Sequence, residues 1–292
     1  MPAFTARQLV FLLLLTLIWG VNWPVMKLGL QHFPPLTFRA VSLWMGVPIL
    51  ALLVRLQGGS WHLPRSNWGV TARLSLFNMV LWNVLIVLGI PQLSSGRAAI
   101  LGYTMPIFSA LLGAWLYRDS LPWRGWLGVL AASAGVLLLL WHEMAALGGK
   151  PAGVVLMLLA AISWALGTQQ LRRARVAVPL LTLSLWMMVL AALALTLLAV
   201  VFEHARWHAP DRIALATLAF NGVLVFGFAQ SVWFFLARNL PPLASTLSVM
   251  LIPVLGVFTG ALWLGEQLRW QDYSAVVLMA LAIASVLWPG KK

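Results

Sequence analysis

The 292-residue chain has no cysteine. Disulfides, thiolate nucleophiles and Cys-ligated metals are thereby excluded, and the redox compartment is left unread. Acids are almost as scarce. The six are Asp119, Glu143, Glu203, Asp211, Glu266 and Asp272, and each falls in a loop or at a helix end of the sequence pattern. The five histidines (His32, His62, His142, His204 and His208) also fall in loops. A proton-coupled carrier needs a titratable group at membrane depth, and the pattern offers none. Walker, HExxH and GxSxG sequences and metal-spaced histidines are absent too. No cofactor, metal or nucleotide motor is expected, and the chain does not read as an enzyme.

Charge of either sign is thin. Only 9% of residues are charged and 62% are hydrophobic, with mean hydropathy +0.94, whereas a soluble domain carries about 25% charged residues. Apolar runs predict spans near 8–29, 36–55, 74–91, 95–117, 123–141, 152–171, 179–202, 212–235, 242–264 and 271–288. Each must satisfy its backbone hydrogen bonds internally in lipid, so helices are expected. The first run lacks a small-residue cleavage site and reads as a retained helix, not a signal peptide.

The second five spans repeat the first five at a constant offset of 147 residues. Gly20 matches Gly167, Asn83 meets Gln230, Pro106 matches Pro253, Gly113 matches Gly260 and Asp119 meets Glu266. Five is odd, so the second copy is inverted across the bilayer. The expected fold class is an all-α integral membrane protein, with ten transmembrane helices arranged as two inverted five-helix repeats around a central cavity. The copies are taken as residues 1–145 and 146–292 of one membrane domain. Inverted repeats are an architecture of membrane carriers, with the solute site near the midplane between them.

The net charge of +13 reads as loop cations that set topology, not as a nucleic-acid surface. Arg7, Arg55, Arg65, Arg73, Arg118, Arg124, Arg172, Arg173, Arg175, Arg238, Lys291 and Lys292 share one side, against a smaller set on the other. That bias predicts both termini in the cytoplasm. Many of the 17 tryptophans lie near span ends as an interfacial belt. Trp19, Trp23, Trp82 and Trp164 lie deeper, beside polar residues.

Polar side chains within spans are functional candidates by default. They are Asn22, Trp23 and Lys27 in the first span, Asn78 and Asn83 in the third, and Tyr103 and Thr104 in the fourth. The sixth adds Ser163, Trp164, Gln169 and Gln170, the eighth Asn221 and Gln230, and the ninth Ser245, Thr246 and Ser248. The first, third, fourth, sixth, eighth and ninth spans therefore read as cavity walls, and the others as struts or lipid-facing helices. Lys27 either snorkels to the headgroups or draws a carboxylate. Ser245, Thr246 and Ser248 either face solute or bond back to their own helix. Arg39 reads as a structural partner for a loop or for helix C-terminal carbonyls.

A doubled motif follows each repeated proline. Pro106 leads to Gly113 and Arg118-Asp119-Ser120-Leu121, and Pro253 leads to Gly260 and Gly265-Glu266-Gln267-Leu268. A mid-helix proline removes a backbone donor and kinks the helix, so Pro106 and Pro253 are expected hinges. This signature, with Trp19-Gly20-x-Asn22 and the overall length, resembles the drug/metabolite transporter superfamily and its EamA-type ten-helix exporters. The first copy departs from it, because Arg118-Asp119 stands where the family has Gly-Glu. The tryptophans and the polar set are similar to those of the aromatic amino acid exporters of that superfamily. The resemblance implies a basket of ten helices around a central cavity, and efflux of amino acids or similar metabolites.

A cavity of indoles and amides suits a neutral or zwitterionic solute with an aromatic body. It does not suit a nucleotide sugar, whose phosphates need a denser cationic site. The leading expectation is a monomeric exporter or facilitator of aromatic and other neutral amino acids, embedded in the lipid bilayer and working by alternating access, most simply as a uniporter. The alternatives are a broad-specificity drug or metabolite efflux carrier, with or without proton coupling, and a membrane scaffold or channel subunit.

Overall fold

A computed structural model describes the backbone over residues 6–120, 123–145, 150–174, 176–233 and 242–287. It describes the side chains over the same ranges apart from 6–7, 140, 142–145, 242–250 and 286–287. No strand occurs among the described residues. They form ten helical segments: α1 (Ala6–His32), α2 (Pro35–Leu56), α3 (Arg65–Gln92), α4 (Ser95–Tyr117), α5 (Trp123–Ala145), α6 (Pro151–Arg173), α7 (Leu180–Glu203), α8 (Arg212–Trp233), α9 (Pro242–Leu264) and α10 (Trp270–Leu287). Seven of them contain apolar spans of 22 to 28 residues. At 1.5 Å per residue that is enough to cross a hydrocarbon core of about 30 Å.

Helix pairing follows the internal repeat. The α1–α9 contact has its counterpart in α6–α4, α3–α6 in α8–α1, and α2–α8 in α7–α3, while α2–α7 and α5–α10 are their own counterparts. Large apolar side chains such as Trp115, Leu197, Leu262 and Leu281 cover the outside. Lipid solvates that surface where water would not. Trp61, Trp123, Trp126, Trp207 and Trp270 are exposed near helix ends, where an interfacial belt is expected.

Four acids organise one end of the bundle. The Glu203 carboxylate accepts from the backbone amides of Leu36 (3.0 Å) and Thr37 (2.8 Å) and from the Thr37 hydroxyl, so it caps α2 from another helix. Glu266 does the same for α4, accepting the Ser95 amide at 2.8 and 3.0 Å and the Ser95 hydroxyl at 2.8 Å. Negative charge is favoured at a helix N-terminus because the first-turn amides lack partners. Asp272 holds Arg97 through Nε (2.7 Å) and Nη2 (3.3 Å). Asp211 caps its own helix through the Ala214 amide (2.7 Å) and meets His32 at 2.7 Å. Those contacts, the amide first, hold its carboxyl below the ordinary aspartate value.

Two departures from the expected helices bear on function. Helix α4 breaks at Tyr103–Thr104, so Pro106 opens a second α-helical segment, Met105–Tyr117. Proline is well suited to that place, because its missing N–H is one that has no partner in a first turn anyway. Pro253, by contrast, lies inside α9. The second departure is π-helix, over Leu76–Leu81 in α3 and Phe220–Ala229 in α8. The two stretches overlap when the repeats are superimposed in sequence, and single-turn π-bulges concentrate at functional sites.

Candidate functional site

The halves enclose a chamber of about 110 Å³. Its wall is built from α1 (Trp19, Asn22, Trp23, Met26), α2 (Arg39), α3 (Met79, Trp82, Asn83, Ile86), α4 (Tyr103, Met105), α6 (Trp164) and α8 (Val225, Phe226, Gln230). Trp19, Asn22, Trp23, Asn83, Tyr103, Trp164 and Gln230 are thus brought together, as the polar pattern of the spans implies. The aromatics contact one another: Trp82 and Trp164 lie 5.2 Å apart, Trp23 and Tyr103 6.2 Å, and Trp19 meets Trp233 at 5.7 Å.

Polar side chains support the irregular backbone behind this wall. A π-turn displaces carbonyls from their usual partners. Ser163 of α6 donates to the Phe77 carbonyl at 2.8 Å, and Asn83 donates to that of Met79 at 2.7 Å. Asn78 is buried against Gly167, with its amide nitrogen unpartnered, and does not reach the chamber.

Other candidates belong to the two ends of the bundle. Lys27 donates to Glu266 at 2.8 Å and is absent from the chamber wall. Gln169 donates to Ser109 of α4 and accepts from Arg173, which holds Asp119 at 2.6 Å. Asp119 and Glu266 occupy matched positions in the repeats, so each end carries a lock between the turn after α4 or α9 and the tail of α6 or α1. The locks differ in tightness. The Lys27 and Glu266 side chains are 16% and 9% exposed, those of Arg173 and Asp119 31% and 45%, so the Glu266 end is sealed more firmly. The side chains of Ser245, Thr246 and Ser248 lie outside the described residues.

The doubled signature has a physical explanation here. The Asp119 amide donates to the Gly113 carbonyl at 3.1 Å, and the Glu266 amide to that of Gly260 at 3.5 Å. This bond closes a helix through a left-handed residue, which is Arg118 (φ 57°) in one copy and Gly265 (φ 64°) in the other. A Cβ on Gly113 or Gly260 would meet the acid's own carboxylate at 2.8 or 2.6 Å. The glycine makes room for the acid that folds back on it.

Arg39 departs from its expected structural role. It is 1% exposed, lines the chamber, and contacts Asn221 Oδ1 at 3.4 Å, the sulfur of Met26 and the face of Phe226 at 5.3 Å. A lone cation five residues into a long apolar span was the available signal. The chamber methionines Met26, Met79 and Met105 carried no signal distinct from ordinary core.

A second, larger crevice of about 480 Å³ is lined only by apolar residues, Phe108, Leu111, Leu112, Ala114, Trp115, Trp126 and Ile162. Its indole N–H groups, on Trp115 and Trp126, are the sole side-chain hydrogen-bonding groups among these lining residues.

An all-helical membrane protein with a mixed aromatic and polar chamber between paired repeats falls in the class of polytopic solute transporters. The EamA-like transporter family model matches residues 7–141 and again 151–288. The chain belongs to the EamA-like transporter family. It is 27% identical to the uncharacterized transporter YoaV of Bacillus subtilis over 87% of each chain. It is 26% identical to the uncharacterized inner membrane transporter YedA of Escherichia coli, over 95% of this chain and 91% of that one. A probable amino-acid metabolite efflux pump of Salmonella typhimurium is 25% identical, over 91% and 90%. A solved crystal structure with 18% identity superimposes with a TM-score of 0.69, over 97% of this chain and 96% of the other, and it shows the same fold.

Proposed function

We propose that the protein exports aromatic and other neutral amino acids, or similar metabolites, across a bacterial inner membrane by alternating access. The observation that carries this reading is the chamber wall. It combines indole and phenol faces for an aromatic body (Trp23, Trp82, Trp164, Tyr103) with the amides Asn22, Asn83 and Gln230 for the polar end of a solute. The name of the Salmonella typhimurium relative points the same way. The two repeats, residues 1–145 and 146–292, rock about this site, with Pro106 and Pro253 near the bends. Both termini are cytoplasmic, which puts the Lys27–Glu266 lock outside and the Arg173–Asp119 lock inside. The carrier works as a monomer. It works as a uniporter, since Asp119, Glu203, Asp211, Glu266 and Asp272 are each engaged in ion pairs or caps at the bundle ends. A broad-specificity efflux carrier is the second reading, favoured by the adaptable methionines Met26, Met79 and Met105.

The test is counterflow of radiolabelled amino acids in proteoliposomes of the purified full chain. Phenylalanine and tryptophan should compete with each other without an imposed pH gradient, while lipophilic cations leave their flux unchanged. Flux that starts only with a pH gradient rejects uniport, and inhibition by lipophilic cations favours the second reading.

A further inference from the structure

Arg39 is a buried charge with no carboxylate beside it among the described residues. Among the described residues, no acid lines the chamber. The partners of Arg39 are the Asn221 oxygen, a thioether and an aromatic face, and a guanidinium so deeply buried is costly when only dipoles face it. The unused capacity is directional. Nε has no hydrogen-bond partner, and the neighbouring Nη2 meets only the Met26 sulfur, a weak acceptor. Those two nitrogens form one edge of the guanidinium, the edge that binds a carboxylate side-on. Arg97 shows the occupied arrangement in the same protein, donating from Nε and Nη2 to the two oxygens of Asp272. Asn22, one helical turn before Met26, adds a buried carbonyl oxygen without a partner.

We infer that Arg39 is the anion-recognising residue of the chamber, so that the carried solutes are aromatic monocarboxylates in which a carboxylate is required and an ammonium group is optional. This deepens the amino acid reading of the same site and rests on it only for the aromatic body. A single cation matches a monoanion and leaves a phosphate dianion undercompensated. For an amino acid, the Asn22 oxygen can accept from the ammonium. An arylacetate or an aryl keto acid lacks that group and still satisfies Arg39. The Met26 sulfur gives up Nη2 at little loss, because a thioether is replaced by an ionised oxygen.

The experiment uses matched pairs on the purified full chain, in detergent for binding and in liposomes for flux: indole-3-acetate against indole-3-acetamide, and phenylalanine against phenylalaninamide. Hydrogen bonds to charged groups imply that the wild type prefers the carboxylate member by about 10- to 100-fold. Arg39→Gln should bring the two members to within about threefold, and Arg39→Lys, which keeps the charge without the planar fork, should retain an intermediate preference. Equal binding within both pairs by the wild type overturns the inference, as does a carboxylate preference that survives in Arg39→Gln, or failure to bind either carboxylate. The wild-type comparison needs no variant, so it decides even if Arg39→Gln does not fold. Carriage of indole-3-acetate but not phenylalanine upholds the Arg39 assignment and defeats the amino acid reading. Equal carriage of phenylalanine and its amide does the reverse.

Discussion

Lys27 and Glu266 lie 239 residues apart in the chain and meet at 2.8 Å, and the same carboxylate takes the Ser95 amide and hydroxyl at the start of α4. One acid therefore ties α1, α4 and the turn after α9 together at the end that the charge bias assigns to the outside. The matched acid, Asp119, ties fewer groups, and its lock with Arg173 is more exposed. If the repeats rock as proposed, unequal locks leave the carrier at rest with the stronger one shut.

Breaking the tighter lock should therefore shift the resting state. Removing one member of a fully buried ion pair costs about 3–5 kcal/mol. The partial exposure of this pair brings the expectation for Glu266→Gln nearer ~2 kcal/mol. Cysteines introduced along the chamber, accessible in this otherwise cysteine-free chain, should label faster from the Glu266 end in Glu266→Gln than in the parent. Asp119→Asn should cost less and open the other end. Unchanged labelling in both variants would show that the locks hold the fold and not the gate.

The turn chemistry gives a stability prediction of opposite sign in the two repeats. Arg118 adopts φ 57° where Gly265 adopts φ 64° in the matched turn. A non-glycine residue in that region costs about 1 kcal/mol. Arg118→Gly should stabilise the protein by ~0.5–1 kcal/mol and Gly265→Ala should destabilise it by a similar amount, read by denaturant or thermal unfolding in detergent. Nothing lies within 4 Å of a Cβ at Gly265, so the second effect would report backbone strain and not a clash.

The division between what the sequence made legible and what it hid is physical. Lipid forces each apolar run to close its own hydrogen bonds, so run length alone located the helices, and the repeat of Gly113 and Asp119 as Gly260 and Glu266 exposed the symmetry. Asn22, Asn83, Tyr103, Trp164 and Gln230 stood out as polar or aromatic groups in apolar surroundings. Asn78 and Gln169 have the same composition but point elsewhere, because helix rotation is set by packing against neighbours. Lys27 could not be placed while its partner lay in the other repeat. Arg39 sits near the start of α2, where a span end and a chamber rim look alike until α2 packs on α1 and α8. The π-turns left no trace, since their residues are those of ordinary helix.

The proposed solute-binding role of Trp164 has a measurable consequence. Its ring contacts that of Trp82 in the chamber wall, tilted by 60° with centroids 5.2 Å apart, and aromatic pairs contribute about 0.5–1.5 kcal/mol beyond area burial. Trp164→Leu keeps the apolar character and removes the ring. It should weaken an aromatic solute by roughly 3- to 10-fold while leaving an aliphatic one, such as leucine, nearly unchanged. An equal loss for both solutes, in competition against a single radiolabelled probe, would assign Trp164 to packing alone.

If Arg39 selects a carboxylate and the acids at the bundle ends carry no protons through, the carrier moves net charge whenever its cargo is an anion. One elementary charge crossing the membrane gains about 2.3 kcal/mol per 100 mV. The inside-negative potential of a bacterium would then expel an arylacetate with no ion exchanged for it, whereas a zwitterionic amino acid would feel no such drive over a full cycle. Which step senses the field does not alter this result, because the charge moved per cycle is fixed by the cargo and by the return of an empty site. In liposomes carrying a potassium diffusion potential, inside-negative polarity should accelerate indole-3-acetate efflux and inside-positive polarity should slow it, while phenylalanine flux stays within error of the unpolarised rate. Potential-independent efflux of indole-3-acetate would mean that a cation, a metal ion or a proton, travels with it, and would overturn uniport of the anion.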